Sequence, residues 1–178
     1  MKQAILILLV FAFGFSYPLQ AAGQQIPAAG YSVSGRGYVL PKVSSLEHGA
    51  VDFIWNPSRG ALTFRAGASV PAGDRWFADA VVAAGLDITL FRAEEHIFRK
   101  WISHESRYAP AFGGGVTCAL SESPSWYLSA DIQPLRFEVG GGVIALLSPS
   151  IYWDPTYEKP FTPTGWGIRL FDFGFFVW

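Results

Sequence analysis

The chain has 178 residues, of which 51% are hydrophobic, 16% aromatic and only 15% charged, with a net charge of −1. That balance gives no electrostatic footing for nucleic acid. The single cysteine, Cys118, excludes an intramolecular disulfide and a cysteine-based metal cage.

Met1-Lys2 supplies a basic n-region, and Ala4 to Phe15 is an apolar run too short to span a bilayer as a mature helix. Leu19-Gln20-Ala21 or Ala21-Ala22-Gly23 then offers small residues for signal peptidase. Residues 1–22 are therefore expected to be a secretory signal peptide, and residues 23–178 one domain. No Cys follows the apolar run, which argues against a lipid anchor. No later segment approaches about 18 unbroken apolar residues, so a chain this apolar leaves two forms open, a buried soluble core or a transmembrane barrel.

After a small-residue leader (Gln24 to Gly30), Tyr31 to Val39 alternates, with Ser32, Ser34 and Arg36 opposite Tyr31 and Val33. Leu40 to Gly49 reads as a polar loop. Val51, Phe53 and Trp55 alternate with Asp52, and Asn56 to Gly60 carries turn chemistry. The third strand is the cleanest, with Leu62, Phe64, Ala66, Ala68 and Val70 on one face and Thr63, Arg65, Gly67 and Ser69 on the other. Trp76 to Leu90 makes a fourth, with Asp79, Asp87 and Thr89 on its polar side. After the segment Arg92 to Arg107, Phe112 to Leu120 forms a fifth, and a sixth starts at Trp126 with Asp131 and Gln133 on the polar face. This strand ends either at Gln133-Pro134 or at Gly140-Gly141-Gly142, because Pro134 removes a ladder donor while the parity shift there also fits a bulge. Val143 to Trp153 is a seventh, followed by a Pro-rich loop.

The last stretch, Gly165 to Trp178, is the most informative. Trp166, Ile168 and Leu170 share one face and Gly167 and Arg169 the other. Beyond Leu170 the phase inverts, with Phe171, Phe173 and Phe175 on the formerly polar face, and a bulge there would restore it. The pattern thus predicts an all-β fold, an eight-stranded antiparallel up-and-down transmembrane β-barrel.

Three features favour a membrane barrel over a soluble one. The polar faces are rich in Gly, Ser and Thr, which suits a narrow lumen. Their charges nearly balance, Arg36, Arg65, Arg136 and Arg169 against Asp52, Asp79, Asp87, Asp131 and Glu138, so they can pair inside a barrel. Finally, Trp55, Trp76, Trp126, Trp153, Trp166 and Trp178 fall at or near strand ends, where aromatic girdles meet the membrane interface.

In architecture the chain resembles the small eight-stranded outer-membrane proteins of the OmpX and OmpW kind. Its closing segment Gly165 to Phe171 is similar to small barrels of treponemal spirochaetes. The resemblance implies an outer-membrane location and outer-membrane lipids around the barrel. It also implies a terminal strand, with Phe176 and Trp178, read by the barrel-assembly machinery. Such families include passive pores, conduits for small apolar compounds and surface proteins. The expectation is a monomeric structural or surface-interaction protein with a side-chain-filled lumen, no cofactor, no metal and no enzymatic activity. A narrow pore or conduit is the alternative.

The segment Arg92 to Arg107 suits a short amphipathic helix or extended hairpin at the membrane edge. Ile97, Phe98, Trp101 and Ile102 would share one side, and Glu95 and Arg99 would form an i,i+4 pair. Its His104-Glu105-Ser106 is similar to the His-x-Ser pair of the lipid A deacylases, which would make His104 the base and Ser106 the nucleophile. That family's pair lies near the chain end and is followed by Asn; here Arg107 follows and some seventy residues remain. His48 and His96 sit in polar segments, and the spacing of His96 and His104 matches no zinc motif. Cys118 falls on the apolar face and is expected to face lipid as a small hydrophobe.

Overall fold

The computed structural model describes residues 28–57, 61–72, 79–101, 106–157 and 162–177, without the side chains at 44, 46 and 101. The expected signal peptide, Trp76, His104 and Trp178 lie outside the described residues.

The alternating stretches form β1 (Ala28–Val39), β2 (Ser44–Asn56), β3 (Leu62–Pro71) and β4 (Ala80–Thr89). A small excursion follows, made of β5 (Ala93–Glu94), helix α1 (Ile97–Trp101) and β6 (Arg107–Tyr108). The chain then continues through β7 (Ala111–Leu120), β8 (Ser125–Gln133), β9 (Leu135–Val139), β10 (Gly142–Trp153) and β11 (Gly165–Phe176). Each wall strand pairs antiparallel with the next, and β11 pairs with both β10 and β1, which closes the wall. The result is an all-β, eight-stranded antiparallel closed barrel in sequential strand order, with the short strands outside it. We call the end where β1 begins and β11 finishes the lower end, and the end bearing the β1–β2 turn the upper.

Strands β8 and β9 make one wall strand. They hold a single register against β10 on both sides of Pro134, from Ser150↔Asp131 to Leu146↔Leu135. The sixth strand therefore runs on to Val139, and the division from the seventh falls at Gly140-Gly141. Both glycines there have positive φ, 62° and 141°, which residues with a Cβ rarely adopt.

Three irregularities lie side by side across the wall. Pro134 cannot donate to the ladder. Leu147 has φ 51° and stands with Leu170 between the paired residues Leu146↔Phe171 and Ser148↔Arg169. Against β1, Leu170 is the extra residue, since Gly35 pairs with Phe171 but Arg36 with Arg169. A one-residue slip exchanges the two faces of a strand. Slipping β8–β9, β10 and β11 together keeps their inward faces matched and turns Arg136, Val143 and Asp172 inward.

Two boundaries differ from the sequence reading. The segment Leu40 to Gly49 is mostly strand, because β2 starts at Ser44 and only a tight turn remains, with Leu40 N donating to Val43 O at 2.7 Å and Val43 N to Leu40 O at 3.2 Å. Its polar residues hid a strand whose inward positions include the buried His48. At the start, β1 reaches back to Ala28, taking in part of the small-residue leader.

The two faces of the wall have opposite chemistry. Outward positions are exposed and apolar all round, including Tyr31, Phe53, Phe64, Ile88, Phe112, Leu128, Ile151 and Phe173. Inward positions hold buried polar groups, among them Ser32, Ser34, Arg36, Asp52, Thr63, Asp87, Thr117 and Asp172. Cys118 shares the outward parity but is buried, standing in register between Val82 and Trp126, so it does not present a free apolar surface.

Candidate functional site

A belt of charge crosses the middle of the lumen, and Arg65 is its hub. One of its terminal nitrogens lies 2.6 Å from Asp172 Oδ2 and 3.1 Å from Asp52 Oδ2, and donates to Ser32 Oγ at 3.1 Å. The other reaches Asp87 Oδ2 at 3.0 Å. Arg36 pairs with Asp52 and donates through Nε to Ser34 Oγ at 2.9 Å. Arg169 lies 3.0 Å from Asp172 and 3.9 Å from Asp131, which in turn accepts from Gln133 Nε2 at 3.1 Å. Three guanidinium groups thus face four carboxylates contributed by β2, β4, β8 and β11. A buried charge of either sign is tolerated only with partners of this kind.

The wall makes room for these carboxylates by placing glycine beside them. Gly113 pairs with both Asp87 and Asp131, and a Cβ there would lie 2.3 Å from Asp131 Oδ1 and 2.7 Å from Asp87 Oδ1. Gly67 stands opposite Asp52 in the same way, with 2.1 Å to Asp52 Oδ1.

Of the nine charges expected in the lumen, Arg36, Asp52, Arg65, Asp87, Asp131 and Arg169 meet in this belt. Arg136 and Glu138 sit below it. Arg136 donates to Thr89 Oγ1 at 3.0 Å and to Ala109 O at 2.9 Å, and lies 3.6 Å from Glu138 Oε1. Glu138 is bridged by Arg92 Nε at 2.8 Å. Asp79 stands just before the upper end of β4 and enters none of the ion pairs among the described residues. Its place in the belt is taken by Asp172, which sequence parity alone put on the apolar face; the slip at Leu170 turns it inward.

Above the belt, Tyr38, Leu40, Val43, Val81, Ala119, Tyr127 and Tyr152 pack as a buried cluster. The Tyr38 and Tyr152 rings lie 6.1 Å apart, the Tyr38 hydroxyl is 3.2 Å from Ser69 Oγ, and His48 meets the Tyr38 ring edge-on at 4.9 Å. Neither His48 nitrogen has a hydrogen-bond partner among the described residues. Between cluster and belt lies a cavity of about 60 Å³ with a mixed lining, bordered by Ser148, Ser150, Thr117, Ser129 and Tyr152, by Ala83 and Ala84, and by belt charges. A gap of about 10 Å³ below the belt is lined by Ile54, Val143 and Phe176 among others. Phe176 therefore points into the lower lumen, whereas Phe173 and Phe175 are exposed outside. Of the expected interface tryptophans that are described, Trp126, Trp153 and Trp166 lie at the upper ends of their strands and Trp55 at the lower end of β2. Trp153 is only half-exposed.

The excursion between β4 and β7 is an extended hairpin. Its strand β6 pairs with β9 through Arg107↔Glu138 and Tyr108↔Phe137, and β5 pairs with β6. Phe98 meets Phe137 at 5.0 Å and Ile97 is exposed, so these two do not share a face. Glu95 does not pair with the Arg99 side chain, which reaches Glu94 at 3.1 Å. Instead the Glu95 carboxylate accepts the backbone N–H groups of Ile97, Phe98 and Arg99 at 2.8–3.0 Å, along with the Ser106 hydroxyl. Burial alone would push the Glu95 carboxyl up, but these four hydrogen bonds outweigh it and hold it below the ordinary range. Ser106, the nucleophile of the hydrolase expectation, is buried with its hydroxyl turned to Glu95. No group of three or more metal-ligating side chains occurs among the described residues.

In comparisons with known proteins, no family model matches the chain, and neither a curated protein nor a solved structure matches it.

Proposed function

We propose that the chain is an integral outer-membrane barrel whose lumen is closed by its own side chains and whose role is structural or surface interaction. The observation that carries this reading is the reversed polarity of the wall: apolar side chains cover the outside while the charges lie within. A soluble barrel has the opposite arrangement. An outward surface of this extent has no stable exposure to water, and lipid is the solvent that suits it.

The dimensions agree. Trp166 and Phe175, exposed near opposite ends of β11, are nine residues apart. At a rise of about 3.3 Å per residue and a tilt of about 40°, they stand about 23 Å apart along the barrel axis, near the height of an outer-membrane apolar band. Every backbone group within such a band is satisfied by a closed wall. Outer-membrane lipids are the surrounding partner, and the closing strand would be the segment engaged during assembly. Three guanidiniums and four carboxylates joined across the lumen favour a plug over an open pore, since an eight-stranded interior is just wide enough for side chains to fill.

Membrane fractionation tests the reading. The expressed protein should sediment with outer membranes and migrate faster on gels unheated than boiled. Recovery as a soluble periplasmic protein would refute it.

A further inference from the structure

Resting on the membrane-barrel reading, we propose that the excursion made of β5, α1 and β6 is an interfacial anchor, whose outer face docks into phospholipid at the acyl–headgroup boundary of the leaflet at the lower end. The excursion continues the two-faced chemistry of the wall. Ala93, Tyr108 and Phe137 lie in one register row, and Glu94, Arg107 and Glu138 in the next. Successive residues of a strand point to opposite faces, so the apolar row and the charged row lie on opposite sides.

The apolar row is the outer one. Phe137 pairs with Ile144, and Ile144 with Phe173, which is exposed on the outside of the wall. Phe173 stands two residues from Phe175, at the lower end of the apolar band. Four rings run side by side along this margin, Phe91 to Tyr108 at 5.8 Å, Tyr108 to Phe137 at 5.6 Å and Phe137 to Phe98 at 5.0 Å. Phe98 thus seats α1 against the outside of the wall. The Tyr108 hydroxyl donates to Pro134 O at 2.7 Å, and Glu95 accepts from three amides of α1, so both arms of the excursion are held.

The outer face offers apolar surface at a depth where aromatic and aliphatic side chains meet headgroups. Leu90 extends the exposed outward series of Leu86 and Ile88, and Phe91 is exposed beside it. Ile97, at 66%, is the most exposed large hydrophobic side chain among the described residues. If lipid covers Leu86 and Ile88, Leu90 and Phe91 carry that surface on to the margin where α1 sits. Lys100 is exposed three residues beyond Ile97, and residues at that spacing are neighbours on a helix. A lysine stem lies along apolar surface while its ammonium stays in the polar layer, which suits lipid phosphates at this depth.

Depth-resolved quenching tests the anchor. Ile97→Cys in a Cys118→Ala background is labelled with a small environment-sensitive fluorophore, and the full chain is refolded into vesicles of phosphatidylcholine and phosphatidylglycerol. Labels at Glu122→Cys, in the exposed turn between β7 and β8, and at Phe64→Cys, on the outer wall, are the water and lipid references. Position 97 should be quenched more by lipid brominated near the headgroup than by lipid brominated near the chain ends, as expected for burial of about 5–10 Å. Iodide in the buffer should quench it severalfold less than position 122.

Iodide quenching at 97 equal to that at 122, with no quenching by lipid, would overturn the proposal. So would protection from iodide without quenching by lipid, which would mean that protein, such as a second copy of the chain, covers this face. Failure of position 64 to meet lipid would instead refute the membrane-barrel reading itself, so the two failures are told apart.

Discussion

Arg65 joins three carboxylates from three strands, with its shortest ion pair, 2.6 Å, to Asp172, 107 positions away in the chain. Removing such a partner leaves buried negative charge uncompensated, at a cost of about 3–5 kcal/mol. Arg65→Ala should therefore lower the unfolding free energy of the refolded barrel by that amount, read as a lower urea midpoint at unchanged slope. Asp172→Ala should cost a similar amount, and the double substitution should cost clearly less than the sum, since the two groups share one network. Additive losses in that cycle would mean the pair is not coupled. Asp172 also marks where residue-level reading stops. Its type suits the lumen and its parity contradicts it, and one inserted residue at Leu170 settles the conflict. The residues around Leu170 had signalled a bulge. Carrying that slip forward to Asp172 would have placed the fourth belt carboxylate.

At the scale of elements, alternation was legible wherever a strand has one small-polar and one apolar face, as in β3 and β11. It failed where the upper strand ends carry polar residues on both faces. Ser44 to Gly49 looked like a loop because Ser, Glu, His and Gly are weak strand formers, yet pairing with β1 keeps most of the segment extended. Tertiary pairing also decided the Pro134 question, since β10 holds both halves of the wall strand in one register. The hairpin beyond β4 was foreseen as a helix or hairpin, but not the carboxylate that organises it, because Glu95 acts on the amides of its own turn.

That hairpin has a defined pH dependence. The Glu95 carboxyl is held below its ordinary value of 4.5. Its contribution is therefore fully present above that value and is lost as pH falls through the lower folded value. Amide exchange protection at Ile97, Phe98 and Arg99 should be high at neutral pH and fall in acid. Glu95→Gln should show reduced protection at every pH, with the acid-dependent step gone. Protection unchanged by either treatment would remove Glu95 as the organiser of α1.

For the whole molecule, the filled lumen and the reversed wall make two separate demands. A plugged barrel reconstituted in planar bilayers should give no steady conductance, and Arg65→Ala alone should stay silent because the tyrosine cluster remains above it. A stable native channel whose conductance Arg65→Ala leaves unchanged would place the conduit reading first. The inside of the barrel was legible as a set of residue types and strand faces. The tyrosine cluster was not, because Tyr38, Val81, Tyr127 and Tyr152 are scattered over four strands and meet only after closure.

The central claim, that the apolar face of the wall meets lipid and the charged face a closed interior, is tested most directly by spin labels placed singly along β3 from Leu62 to Val70 in the reconstituted protein. Labels at Leu62, Phe64, Ala66, Ala68 and Val70 should be quenched by a lipid-soluble relaxant. Those at Thr63, Arg65, Gly67 and Ser69 should be protected from it, in strict alternation. Uniform accessibility, or the same alternation with opposite parity, would contradict the account.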